Sequence, residues 1–166
     1  MPSTTVQSLS RATTATFEEL ALLFPEHELS PEQAAAPLDV AVSVEFRGPR
    51  CGRLLLRASS NILSSIAANM LGEDASRQRP LQRDALGEIA NVICGNLLPA
   101  IAGVAAVFHL SAPRVHEGLD DISRQEDVPT ARVIFGVEDG RTEAVLYLFE
   151  ERDDTAPVSH GYVSGA

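Results

Sequence analysis

The feature that most restricts the fold is a strict two-residue alternation. Val40, Val42, Val44 and Phe46 are separated by Ala41, Ser43 and Glu45, with Arg47 following. Successive side chains of a strand point to opposite faces, so this stretch predicts a strand with one buried face. Gly48-Pro49 predicts a turn into a partner strand from Arg50 to Ala58, which closes a hairpin. The pattern returns late in the chain, where Arg132 to Val137 and Thr142 to Phe149 read as strands joined by Glu138-Asp139-Gly140-Arg141. Asp-Gly is expected to supply the positive φ of that tight turn. Val104, Ala106, Phe108 and Leu110 alternate with Ala105, Val107, His109 and Ser111, predicting a further strand that ends at Pro113.

Helical spacing fills the gaps. Leu9, Thr13, Phe17, Leu20 and Phe24 recur every three to four residues, predicting a first helix from about Ser8 to Phe24, closed by Pro25. Pro31 and Pro37 mark a connector. A second helix fits Ser60 to Leu71, with Ser59 as N-cap and Gly72 as C-cap. A third runs from about Pro80, tolerated in a first turn, to Ala100. The expected architecture is α+β: one largely antiparallel sheet of about five strands packed with about three helices. Residues 1–7 are expected to be flexible, 8–150 to form the domain, and 151–166 to be a flexible tail.

Charge and cysteine usage narrow the partners. A chain of 166 residues is long enough to bury a core, and its formal net charge of −10 disfavours nucleic acid or an anionic membrane as partner. Only Cys51 and Cys94 are present, at no metal-ligand spacing, which suits a reducing cytoplasm without disulfides. No run approaches the roughly 20 apolar residues of a membrane span, and the N-terminus lacks a signal peptide's pattern. The expectation is a cytoplasmic protein whose partner is another protein or a small molecule.

The segment from Asp84 to Leu97 sorts by face when each residue advances about 100° around a helix. Leu86, Ile89, Ala90, Ile93 and Leu97 fall on one side, and Asp84, Glu88, Asn91 and Gly95 form a narrow stripe opposite, expected to face solvent. Any amphipathic helix has a polar face, but Gly costs a helix interior roughly 0.5–1 kcal/mol relative to Ala and Asn is a poor helix former. Neither serves helix stability. Gly95 permits close approach of another backbone.

Together with Glu-x-x-Asn at Glu88 and Asn91, the Asp four residues earlier, Gly95-Asn96 and Pro113 make this sequence resemble the chemotaxis phosphatases of the CheC/CheX/FliY family, most closely the CheX type. Thr16-Phe17-Glu18-Glu19-Leu20 and Leu110-Ser111-Ala112-Pro113 extend the resemblance over roughly residues 8 to 150. It implies a hydrolase that removes the phosphoryl group from the aspartate of a phosphorylated CheY-type response regulator. Glu88 would dock on the receiver's Lys, Asn91 would orient the in-line water, and Asp84 and Gly95 would line the contact. It implies that the receiver brings the Mg2+, that this chain binds no metal, and that a single motif helix goes with a homodimeric CheX type. The alternative is a binding module that docks on a receiver or a flagellar or signalling protein without catalysis.

Other signals are weaker. Cys51 and Arg57 have a cysteine-phosphatase spacing, but the intervening segment is strand-like with one glycine and cannot wrap an anion. Cys94 reads as a half-buried structural cysteine. His27, His109, His116 and His160 form no i, i+4 pair and give little support for zinc or diiron. Asp120-Asp121 and Asp153-Asp154 read as solvated pairs, and no nucleotide-binding motif occurs.

Overall fold

The computed structural model describes residues 2–117 and 128–149. Residues 118–127 and 150–166, with the expectations placed on them, lie outside the described residues. Six strands form one antiparallel sheet: β1 Val40–Arg47, β2 Cys51–Ala58, β3 His109–Leu110, β4 Arg114–Glu117, β5 Ala131–Val137 and β6 Gly140–Phe149. Their order is β3-β1-β2-β6-β5, with β4 also on β1. The helices are α1 Thr4–Ala21, α2 Pro31–Ala35, α3 Leu63–Leu71 and α4 Arg79–Ala102.

Alternation decides which strand residues enter the core. Val40, Val42, Val44 and Phe46 bury against Leu54 and Leu56 of β2 and, across the layer, against Leu9, Phe17, Leu86, Ile89 and Ile93 of the helices. Each such side chain contributes about 1.5–3 kcal/mol on burial. α4 lies over β1, β2 and β4, whereas α1 lies over β5 and β6. α4 is the one described helix long and apolar enough to cross a membrane. Half of that stretch is buried inside the fold, as in a core helix. The opposite face of the sheet holds a small apolar cluster of Ala41, Leu55 and Val145. Beside it Glu143, 2% exposed, is forked between Arg57 at 3.1 Å and Arg132. A buried carboxylate needs such pairing to remain charged.

Several elements depart from the sequence expectation for local reasons. α1 begins at Thr4, because Ser3 caps it by accepting from the Val6 N–H at 3.1 Å. It ends before Phe24, because Leu22 adopts φ 54° and the Leu23 N–H turns back to the Phe17 carbonyl. The proline-marked connector contains α2, held by a reciprocal capping box between Ser30 and Gln33. Ser59 caps no helix; its hydroxyl accepts from the Arg141 N–H, and Asp39 binds Ser60 instead. Residues 60–62 are a 3-10 turn ahead of α3.

The strand predicted from Val104 to Ser111 is reduced to β3, because α4 runs on to Ala102 and Gly103, with φ 93°, begins a further turn. The edge then resumes beyond Pro113, where the strand is expected to end, as β4. In the last hairpin the positive φ belongs to Glu138, at 48°, and not to Gly140. Gly140 is needed for space: a Cβ there would overlap Asn61 and come within 2.7 Å of Ile62 Cγ2. The tight turn is instead braced from outside, by Gln33 Nε2 on the Glu138 carbonyl and Asn61 Nδ2 on that of Asp139.

Candidate functional site

The polar stripe lies on α4, which side-chain bonds tie to α1 and to β4. On one side Asn96 Nδ2 donates to Thr16 Oγ1 of α1 at 3.2 Å. On the other, Arg83, only 8% exposed, donates from Nε to Glu117 Oε1 of β4 at 2.6 Å. This guanidinium holds the Glu117 carboxyl below the usual carboxylate range, by hydrogen bond first and charge second. Between these ties the sheet edge breaks. Ser111 donates its N–H to the Glu45 carbonyl at 2.8 Å, and its hydroxyl accepts from the Glu45 N–H at 3.0 Å. Pro113, which has no N–H for a ladder, packs on α4, where a Cβ on Gly87 would lie 3.0 Å from Pro113 Cβ.

The sequence pattern picks out Pro113 but neither its partner Gly87 nor the buried Arg83. A glycine one turn before the motif Asn and an arginine on the apolar side of the helix were the available signals.

Asp84, Glu88 and Gly95 are exposed, as expected for the stripe. Asn91 departs from that expectation: it is half-buried, and its Oδ1 is buried without a hydrogen-bond donor. Turning the amide over would put its NH2 group in the same place. Buried polar atoms almost always have partners, and leaving one unsatisfied costs about 1–3 kcal/mol. Nothing lies within 4 Å of a Cβ built on Gly95, so the surface beside Asn91 is open. Pro99, inside α4, has no N–H to donate to the Gly95 carbonyl. The helix thus carries two exposed carboxylates, Asp84 and Glu88, a half-buried amide whose oxygen has no donor, and an uncovered stretch of backbone along a single line.

This arrangement can place an acceptor for water or an N–H at a contact surface. It carries no acid–base pair. Cys94 adds no nucleophile: it is fully buried rather than half-buried, and burial pushes its thiol up to about 12. Cys51 and Arg57 stand on β2, in extended backbone. Among the described residues no three His, Cys, Asp or Glu side chains could hold a metal ion. His116, on β4, lies with Nε2 2.7 Å from Ser43 Oγ, on the far face of the sheet from α4.

Comparison with known proteins gives the following. A family model described as "Chemotaxis phosphatase CheX" matches residues 40–136. No curated protein matches the sequence. Among solved structures, the chemotaxis protein CheX from Vibrio vulnificus aligns with a TM-score of 0.69 at 19% identity, over 90% of this chain and 100% of that one. A chain of the CheX–CheY–BeF3–Mg2+ complex from Borrelia burgdorferi aligns at 0.62 and 18%, over 87% of this chain and 97% of that one. FliY from Thermotoga maritima aligns at 0.53 and 17%, over 83% of each chain. At these identities the structures establish the fold, an antiparallel sheet covered by helices.

Proposed function

The chain belongs to the CheX chemotaxis phosphatase family, and from that premise we propose that it hydrolyses the phospho-aspartate of a CheY-type response regulator through α4. Glu88 docks on the receiver's active-site Lys. Asn91, one turn on, enters the same pocket and orients a water in line with the acyl phosphate, because residues three apart on a helix project side by side. Asp84 and Gly95 complete the contact. Phosphoryl transfer depends chiefly on positioning and charge stabilisation, so an amide suffices where no general base is available. The receiver supplies the Mg2+, in keeping with the metal named in the CheX–CheY complex from Borrelia burgdorferi. The protein works in the cytoplasm, as a homodimer.

One observation carries this reading: the buried, donorless Oδ1 of Asn91, beside exposed Glu88 and the open Gly95. Because that oxygen turns inward without a donor, swinging the Asn91 amide out to an arriving receiver breaks no hydrogen bond. The test is phosphate release from a phosphorylated CheY-type receiver with Mg2+, comparing wild type with Asn91→Ala. Acceleration should vanish in the variant while its thermal unfolding is unchanged or slightly improved, since the alanine removes an unsatisfied group. Full activity in Asn91→Ala would overturn the assignment. Glu88→Ala should raise the half-saturating receiver concentration, with the saturated rate less affected.

A further inference from the structure

The far edge of the sheet, on the α1 side, carries a second feature. A cavity of about 410 Å3 opens between α1 and β5, lined by Val6, Ser10 and Arg11 of α1, by His27, and by Val133 and Phe135 of β5. The His27 ring stands edge-on to Phe135, with centroids 5.1 Å apart. A mostly apolar hollow of this size with a few polar groups at its wall is the usual form of a binding pocket.

The strand beside it has an open edge. Gly136 turns its N–H and carbonyl away from β6, and Glu26 takes both, at 2.8 Å each. Backbone groups alternate in direction along a strand, so Ile134 and Arg132 turn theirs outward as well. Among the described residues nothing bonds to them. The chain that starts this extra rung at Glu26 leaves it at once, His27 setting its ring on Phe135. Two donors and two acceptors are left in line, directly beside the cavity.

We propose that this edge accepts an extended peptide segment of a partner protein as an added strand, with apolar side chains entering the cavity and one carboxylate meeting Arg11. Main-chain bonds to an exposed edge supply affinity in such complexes, and pockets for alternate side chains supply specificity. The charge of the occupant follows from this chain. It carries a net charge of −10, yet Arg11, at the cavity wall, has no carboxylate or other polar partner among the described residues. The open run is short and closed at one end by Glu26, which fits a segment of a few residues. The site lies across α1 from the α4 stripe, so its occupation does not depend on the phosphatase reading.

The test is fluorescence anisotropy on the full chain, with a fluorescein-labelled six-residue peptide of alternating valine and threonine carrying one glutamate. Saturable binding is expected. Replacing the glutamate by lysine, or Arg11→Glu in the protein, should weaken it about tenfold, the scale of one charge-assisted contact. Ile134→Pro removes an outward N–H without touching the β6 ladder, and it should abolish binding with the circular dichroism unchanged. If that variant fails to fold, the exposed Arg11→Glu still decides. The proposal falls if no saturable binding is seen, or if Ile134→Pro or Arg11→Glu binds as tightly as wild type. It falls equally if Ile134→Pro converts a dimer to a monomer in light scattering, because a second copy would then be the occupant.

Discussion

At the β3/β4 edge the strand is interrupted at Ser111 to Pro113 and a helix is pressed against the interruption, whereas β5 runs unbroken for seven residues with only Gly136 covered. The first edge gives up ladder hydrogen bonds and gains a spacer. Pro113 meets Gly87 and sets how far α4, with its polar stripe, stands from the sheet. The second edge keeps its strand straight and is covered from outside by a side chain, Gln33, whose amide reaches both Glu26 and Glu138. Rigid contact through backbone and proline suits a site whose geometry has to be fixed. A side-chain brace beside an open ladder suits a surface that can take on another strand.

Filling the first contact should have the largest effect. Gly87→Val inserts bulk where Pro113 already sits at contact distance, and should lower stability by about 1–3 kcal/mol in urea unfolding. On the proposed function it should also slow receiver dephosphorylation by displacing α4. Unchanged values of both would mean that Pro113 sets no spacing. At the other edge, Gly136→Ala would push into the Gln33 amide, breaking its bonds at a cost of about 1 kcal/mol. Hydrogen exchange at the Glu26 and Gly136 amides should then accelerate while that of α4 stays unchanged; loss of protection in α4 would show that the two edges are coupled.

Smaller effects separate the core side of α4 from the surface that holds it. Cys94, with its thiol pushed up to about 12 by burial, should resist alkylation at pH 8 in the folded protein, while exposed Cys51 reacts. Its folded value lies above the unfolded one, so its contribution to stability is complete below about pH 9 and declines as the pH rises beyond. Mass spectrometry after iodoacetamide reads the first; urea unfolding between pH 8 and 10 reads the second. The smallest effect belongs to Glu117, which is solvent-exposed. Its carboxyl is held low by Arg83, so that contribution is present above the ordinary carboxylate range and is lost as pH falls through the folded value. Glu117→Gln should flatten this part of the acid side of the stability profile; an unaltered profile would show that Arg83 holds α4 without it.

The strand alternation and the apolar face of α4 were legible because burial imposes a period, and both hairpins lie where the period placed them. What escaped depends on contacts distant in sequence. Nothing in Glu138 itself announces a positive φ; the two-residue turn Glu138-Asp139 requires it at its first position, and Gln33 and Asn61 hold that turn from outside. β4 was hidden because a proline and a polar sequence disguise a strand whose partner lies some seventy residues earlier. The exposed stripe on α4 could be placed by counting residues, whereas the burial of the Asn91 oxygen could not, since it depends on how closely the surrounding elements pack.

That oxygen has an evolutionary consequence. A residue that leaves a polar atom dry in the resting protein is one the fold would do better without, so Asn91→Leu should raise the melting temperature and, on the role proposed for Asn91, end receiver dephosphorylation. A library of this chain screened for heat resistance alone should therefore drift away from asparagine at position 91, and only a screen that also reads signalling output should retain it.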